Sequence, residues 1–371
     1  MNARRSLRIF LLAGEASGDA YGAALARALA EACEAHGTDL RLEGWGGDAM
    51  EDAGVRIHKH IRDTSFMGFW EVATHLRTIL GNLRKAHEDV VTFQPDAVVF
   101  IDFPGFNMRL AKRLARDNHP AMRLQWVAPQ VWAWKAGRVR DLARDCHAVA
   151  PILPFEADVL SQAGVRVWDV GHPLLDLMPE PAPSRDIPLV LLPGSRAQEL
   201  RRHLPIMVDA VNKGVARGLW QPSDVHVAGA PGRTEADYGA VLGAGLTLQF
   251  GQTQELLGRA KFAWVASGTA TLEAALMGTP HAVAYRTSAA SFAIAKRLVR
   301  VKHIGLPNLL LNRSLVPELI QQDMTADNLL RATQESHDDQ RQGFDEVRRI
   351  LKDSNASSRL AHRLLDELTQ G

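Results

Sequence analysis

Short apolar runs alternate with longer segments of helical periodicity along most of the chain, and no other feature constrains the fold as much. Runs at 7–12, 41–44, 97–101, 123–127, 147–150 and 167–170 read as strands, and so do runs at 189–192, 225–228, 246–249, 262–265 and 281–284. Strand runs separated by helical segments indicate parallel sheets covered by helices on both faces, so the expected class is α/β with two similar halves. A length of 371 residues suits two such domains. Between the halves, Met178-Pro179-Glu180-Pro181-Ala182-Pro183-Ser184 can neither continue a helix nor sit in a central strand. The expected organisation is therefore a first domain over 1–177, a linker over 178–186, a second domain over 187–340 and C-terminal helices over 341–371. Those helices are expected to pack back on the first domain.

Composition removes several function classes. Lys and Arg total 43 against 42 Asp and Glu, a formal charge of +1, so no global field draws the chain to nucleic acid. Cys33 and Cys146 form neither a disulfide framework nor a zinc motif, which fits a reducing cytoplasm, and no metal-ligand spacing is found. Arg4-Arg5 before an apolar stretch faintly resembles an export leader, but the stretch breaks at Glu15, Ser17 and Asp19 and is expected to be a buried first strand. No run of 18 apolar residues spans a bilayer.

Ligands of open α/β sheets bind where strands end and helices begin, because helix N-termini present unpaired N–H groups to anions. Gly14-Glu15-Ala16-Ser17-Gly18-Asp19 follows the first strand, either as a ligand loop or as a turn capped by Ser17 or Asp19. Asp102, at the end of an apolar strand and before Pro104, is placed either as a general base or as a helix cap. Trp132 and Trp134, followed by Lys135, Arg138 and Arg140, can bind sugar or phosphate, or pack in the core. In the second half Pro193-Gly194-Ser195-Arg196 joins a strand to a helix, with a Gly that admits a phosphate and an Arg that neutralises one. Ser267-Gly268-Thr269-Ala270-Thr271-Leu272-Glu273 makes another anion-ready terminus, with Glu273 either a local cap or a partner for ribose hydroxyls. Together these suggest a nucleotide-diphosphate donor on the second domain and an acceptor activated on the first.

The ordered series of these segments resembles the lipid-A-disaccharide synthases. It includes Ile101-Asp102, Pro129-Gln130-Val131-Trp132-Ala133-Trp134, Leu153-Pro154-Phe155-Glu156, Gly171-His172-Pro173-Leu174, Leu306-Pro307-Asn308 and Pro317-Glu318-Leu319-Ile320-Gln321. The resemblance implies the GT-B architecture, two facing Rossmann-like doubly wound domains. It also implies transfer of 2,3-diacylglucosamine from UDP to the primary hydroxyl of 2,3-diacylglucosamine 1-phosphate, with inversion to a beta-(1→6) disaccharide.

On that resemblance Asp102 is the base and Arg196 stabilises the departing UDP. Ser195, Ser267, Gly268, Thr269, Thr271, Glu273, Asn308 and Gln321 face the donor, and Glu15, Ser17, Gly18, Asp19, Trp132 and Trp134 face the acceptor or cleft. No cofactor or metal is implied. One departure is plain: the family continues from Ile-Asp through Pro to an acidic residue before Phe-Asn, whereas Gly105 follows Pro104 here.

Diacylated substrates imply contact with the inner face of the cytoplasmic membrane, and the family suggests a homodimer. Phe66, Met67, Phe69 and Trp70, continuing through Val72, Leu76, Ile79 and Leu83 with Arg77, Arg84 and Lys85 alongside, read either as an interfacial helix or as a core-facing one. Residues 291–311, with Lys296, Arg297, Arg300 and Lys302, form a second candidate. A UDP-sugar epimerase of the same architecture and an inert sugar-nucleotide binder are the competing readings.

Overall fold

The computed structural model describes residues 6–63, 76–132, 137–180, 184–298, 302–351 and 355–370. Its contacts divide the chain into one unit of Met1–Leu177 with Leu351–Gly371 and a second of Met178–Ile350.

The first unit is built on strands β1 (Ser6–Ala13), β2 (Asp39–Gly46), β3 (Arg56–His60), β4 (Ala97–Ile101), β5 (Met122–Trp126) and β6 (Ala148–Ala150). They form one parallel sheet in the order β3-β2-β1-β4-β5-β6. Every residue of β4 is buried, as a central strand covered on both faces requires. β3 was not expected from the sequence: Arg-Ile-His-Lys-His is a polar edge strand with no apolar run to announce it. The expected strand at 167–170 is instead a single bridge, Val149 to Val167.

The second unit repeats the plan with β7 (Ile187–Leu192), β8 (Val225–Gly229), β9 (Thr247–Phe250), β10 (Ala260–Val265), β11 (His281–Tyr285) and β12 (Glu318–Ile320). Their order, β12-β11-β10-β7-β8-β9, is that of the first sheet strand for strand, and β12 is again a short edge strand missed in the sequence. In each sheet the order reverses between the first and fourth strands of the unit, β1 beside β4 and β7 beside β10. Ligand crevices of doubly wound sheets open at that reversal, beyond the carboxyl ends of the strands.

Helix Asp338–Leu351 stays with the second unit, where Phe344 packs with Val283 and Leu315. Helix Ala356–Gln370 packs on helix Ala16–Ala35 of the first. Its buried face is Ala356, Leu360, Ala361, Leu364 and Leu365. Asp176 caps its N-terminus, accepting from the N–H groups of Asn355, Ala356 and Ser357, and Arg166 pairs with both oxygens of Glu367 at 2.6 and 2.8 Å.

Phe66, Met67, Phe69 and Trp70 lie outside the described residues, as does Trp134. The helix that follows, Leu76–Phe93, buries Ala86, Val90 and Phe93 against Phe10, Val98 and Phe100. Of the series read from the sequence, Leu83 is half-buried against this cluster and Ile79 is half-buried, Leu80 between them is 56% exposed, and Val72 lies outside the described residues. In the second candidate segment Arg297 and Lys302 are exposed, and helix Leu306–Leu311 buries Pro307 and Asn308.

Candidate functional site

In the first unit Asp102 stands directly beyond β4, next to the end of β1, since Ile101 pairs with Ala13. Asp102 and Phe103 both adopt left-handed backbone at φ +49, and Val127, beyond the neighbouring β5, does so at φ +63. Side chains resist this region, at a cost of about 1–3 kcal/mol each, so such a turn persists only when its surroundings impose it. Here the surroundings are explicit. Asn107 Nδ2 donates to the Asp102 carbonyl at 2.8 Å, and Gln125 Nε2 donates to it at 3.2 Å and to the carbonyls of Trp126 and Val127. Both amides are fully buried. Asp102 N–H closes the turn on the Trp126 carbonyl at 2.9 Å. The ring of Phe103 fills the space above Gly14, where any Cβ would collide with it, so the loops after β1 and β4 interlock. The N-cap position of helix Pro104–Arg116 belongs to Phe103, which leaves Asp102 half-buried one residue outside the helix.

The remaining first-unit candidates divide between site and scaffold. Asp19 is buried, and its carboxylate accepts from Gly47 N–H at 2.6 Å and from Ala49 and Met50 N–H at 3.1 Å. It therefore holds the N-terminus of helix Asp48–Asp52 from inside helix Ala16–Ala35, whose own N-cap position is Glu15, so neither Ser17 nor Asp19 caps the helix after the first strand. Gly18 is buried against Ala13 and Ile101, while Glu15 and Ser17 are half-buried at the start of helix Ala16–Ala35.

Trp132 donates its indole N–H to Glu156 Oε1 at 2.8 Å and meets Phe155 edge to face at 4.9 Å. Glu156 is 2% exposed, and its other oxygen accepts from Ile152 and Leu153 N–H. Burial pushes its carboxyl up to about 7, the charge of Asp102 adding to the shift against the three hydrogen bonds. Asn107, Gln125 and Glu156 were not singled out from the sequence. Glu156, in the Leu-Pro-Phe-Glu run, and Asn107, in the Phe-Asn pair after Gly105, left only a trace there.

In the second unit the loop after β7 turns at Gly194, φ +113, and opens helix Ala197–Ala216. Ser195 and Arg196 are exposed, and their N–H groups donate to Glu199 Oε2 at 3.1 and 3.3 Å. These donors already hold anionic oxygen. Arg233 Nε donates to the Ser195 carbonyl at 2.9 Å. His203, fully buried, ties this loop to the end of β11: Nδ1 donates to the Pro193 carbonyl at 2.7 Å while Nε2 accepts Arg286 N–H at 2.9 Å. The bond from Arg286 N–H fixes the tautomer, and burial holds the ring's proton affinity below the ordinary range.

Beyond β10, Gly268 takes φ +144 and ψ −161 at the N-cap of helix Thr269–Leu276, a conformation that essentially only glycine adopts. Gly268 is exposed and Thr269 half-buried. Thr271 is buried, and its hydroxyl is spent on the Gly268 carbonyl and Leu306 N–H. Ser267 Oγ donates to the Ile304 carbonyl.

Asn308 is fully enclosed. Oδ1 accepts from Leu315 and Val316 N–H, both at 2.8 Å, and Nδ2 donates to the Val316 carbonyl and to Glu318 Oε1. Glu318 in turn accepts from Ile304 and Gly305 N–H. Asn308 and Thr271 thus brace the loop behind Ser267 instead of presenting themselves to a ligand. Gln321 offers the opposite case. It sits just past β12 at φ +55, 8% exposed, with a buried Nε2 that has no partner. Glu273, half-buried, has its carboxyl raised by burial against a hydrogen bond from Gln254. Among the described residues no group of three His, Cys, Asp or Glu is gathered in a way that could hold a metal ion.

The chain matches the family described as lipid-A-disaccharide synthetase over residues 9–368. It is 37% identical over 396 residues to a lipid-A-disaccharide synthase of Acidobacterium capsulatum, with 96% of each chain covered. Among solved structures, a UDP-GlcNAc 2-epimerase from Neisseria meningitidis bound to UDP-GlcNAc aligns with a TM-score of 0.65 at 9% identity, over 97% of this chain and 100% of that one. A glycosyltransferase of kitacinnamycin aligns with a TM-score of 0.60 at 14% identity, over 98% and 99%. At such identities these structures speak to the fold, two doubly wound α/β domains of the GT-B kind.

Proposed function

The chain belongs to the lipid-A-disaccharide synthase family, enzymes that build the lipid A disaccharide by glycosyl transfer from a UDP-sugar, and from that premise we propose how its own residues divide the work. The donor is UDP-2,3-diacylglucosamine and the acceptor 2,3-diacylglucosamine 1-phosphate. Asp102 takes the proton of the acceptor's primary hydroxyl as that oxygen bonds to the donor's anomeric carbon from the face opposite UDP. The bond from this carbon to the diphosphate breaks, its electron pair leaves with UDP, and the configuration inverts.

The Arg196 guanidinium, the Ser195 hydroxyl and the N–H groups at Gly268 and Thr269 meet the charge that develops on the diphosphate, without a metal. Gln321, with its unpartnered buried amide, and Glu273 serve the uridine. The observation that carries the reading is the Asp102 turn: two buried amides hold a carboxylate in disfavoured backbone at the sheet's reversal. Acylated substrates place the protein at the surface of the cytoplasmic membrane, and no helix among the described residues is long and apolar enough to cross one. We extend the proposal to a homodimer.

The test incubates purified protein, detergent and both substrates after dialysis against EDTA, and follows UDP and disaccharide by mass spectrometry. Disaccharide that disappears in Asp102→Ala is the expected result. Folded protein that binds UDP yet forms no disaccharide would overturn the assignment of these substrates.

A further inference from the structure

Three successive strand ends of the first unit converge chemically: Asp102 beyond β4, Trp132 in the loop after β5, and Glu156 on the first turn of helix Pro154–Gln162 after β6. We propose that Glu156 is a positioning residue of the transfer, holding Trp132 in place as a wall of the acceptor pocket. The proposal rests on the reading of the first unit as the acceptor side.

The geometry separates Glu156 from an ordinary helix cap. A cap at this position needs only an acceptor for the Ile152 and Leu153 N–H groups, which a glutamine supplies equally well. Such a group normally stays near solvent, whereas Glu156 is 2% exposed and reaches a different loop with its second oxygen. Two N–H groups occupy Oε2, so a proton taken up by this carboxyl goes to Oε1, the oxygen facing Trp132. There it weakens a charge-assisted bond and loosens the indole.

Among the described charged groups, Asp102 is the one whose charge acts on Glu156. Helix Arg138–Asp145, which shares a hydrophobic cluster with Leu160 of the Glu156 helix, carries Arg138, Arg140, Asp141, Arg144 and Asp145. Both acids there are paired with Arg144, at 2.9 and 2.6 Å.

The first measurement is the tryptophan emission of the full chain, without substrate, between pH 5.5 and 8.5. A step near pH 7 is expected in the wild type and is absent in both Glu156→Gln and Trp132→Phe. The glutamine keeps the cap but turns an amide N–H toward the indole, so it separates charge from capping. The second measurement is the pH profile of transfer. In Glu156→Gln, kcat/KM for the acceptor falls on the order of 10-fold at pH 7 and loses its inflection near 7, while KM for the UDP-sugar is unchanged.

A wild type without the step, or a step that survives Glu156→Gln, would reduce Glu156 to a helix cap and overturn the proposal. Normal emission behaviour with no disaccharide from the wild type would instead overturn the function on which the proposal rests.

Discussion

The two units share a strand order but solve the same turn differently. Beyond β4 and β5 the first unit puts Asp102, Phe103 and Val127 into left-handed backbone, side chains included, and holds them there with Asn107 and Gln125. Beyond β7 and β10 the second unit puts glycines, Gly194 and Gly268, where positive φ is required. A side chain in that region is worth its strain only if its chemistry is needed at that point. A glycine serves where a ligand must meet bare backbone. The contrast agrees with the proposed division, side-chain chemistry at the first sheet's reversal and backbone recognition of anions at the second's.

Substitutions can break this contrast. The largest effect belongs to the first unit: Asp102→Ala should lower kcat by about 10²–10⁴ with UDP affinity unchanged, as calorimetric titration with UDP would check. Arg196→Ala in the second should cost on the order of 10²–10³ in kcat and weaken UDP as well. If both variants weakened UDP equally, the division of labour would fail.

Asn308→Ala would leave two buried N–H groups and a carbonyl without their partners and should destabilise the fold by about 3 kcal/mol, read from urea denaturation. Intact stability with lost UDP binding would return Asn308 to the ligand. Gly268→Ala forces a Cβ into backbone that only glycine favours and should cost about 1–3 kcal/mol together with UDP affinity, again by denaturation and calorimetry.

A pH-dependent effect is one the units share. His172 in the first and His281 in the second are buried neutral, burial lowering each to about 4 from the usual 6.5. Between pH 6.5 and 4 the unfolded chain binds protons that the folded one refuses. Stability is therefore full above 6.5 and should fall with pH by about 1.4 kcal/mol per unit for each histidine. Denaturation midpoints at pH 7, 6 and 5 would show the slope, and His281→Gln should reduce it.

The sheets were legible because their central strands are apolar on both faces, and apolar runs are what a sequence displays. The edge strands β3 and β12 were not, since an edge borrows its pairing from a neighbour and needs no apolar signature of its own. The placement of the candidate loops at strand ends was legible for a similar reason: such residues are marked by the strand before them. What spacing could not separate was a polar group that meets a ligand from one that braces the loop. Asp19, Thr271 and Asn308 turned out to spend their hydrogen bonds within the chain, and only the third dimension reveals those partners. Gln125 and His203 act through contacts with residues distant in the order of strands, so no local motif announced them, and Asn107, though it stands in the Phe-Asn pair after Asp102, carried no sign that its amide holds the Asp102 carbonyl.

The route of the chain has a consequence for how the protein is made. The second unit is one continuous stretch, Met178–Ile350, but the first is completed only by the helix Ala356–Gln370. In the order of synthesis every residue of the second unit precedes the last helix of the first, so the half of the protein begun first is the half whose sequence is completed last. Until then the face of helix Ala16–Ala35 that this segment covers stands open, and a chain truncated near residue 350 would hold all of the second unit and a first unit without its closing helix.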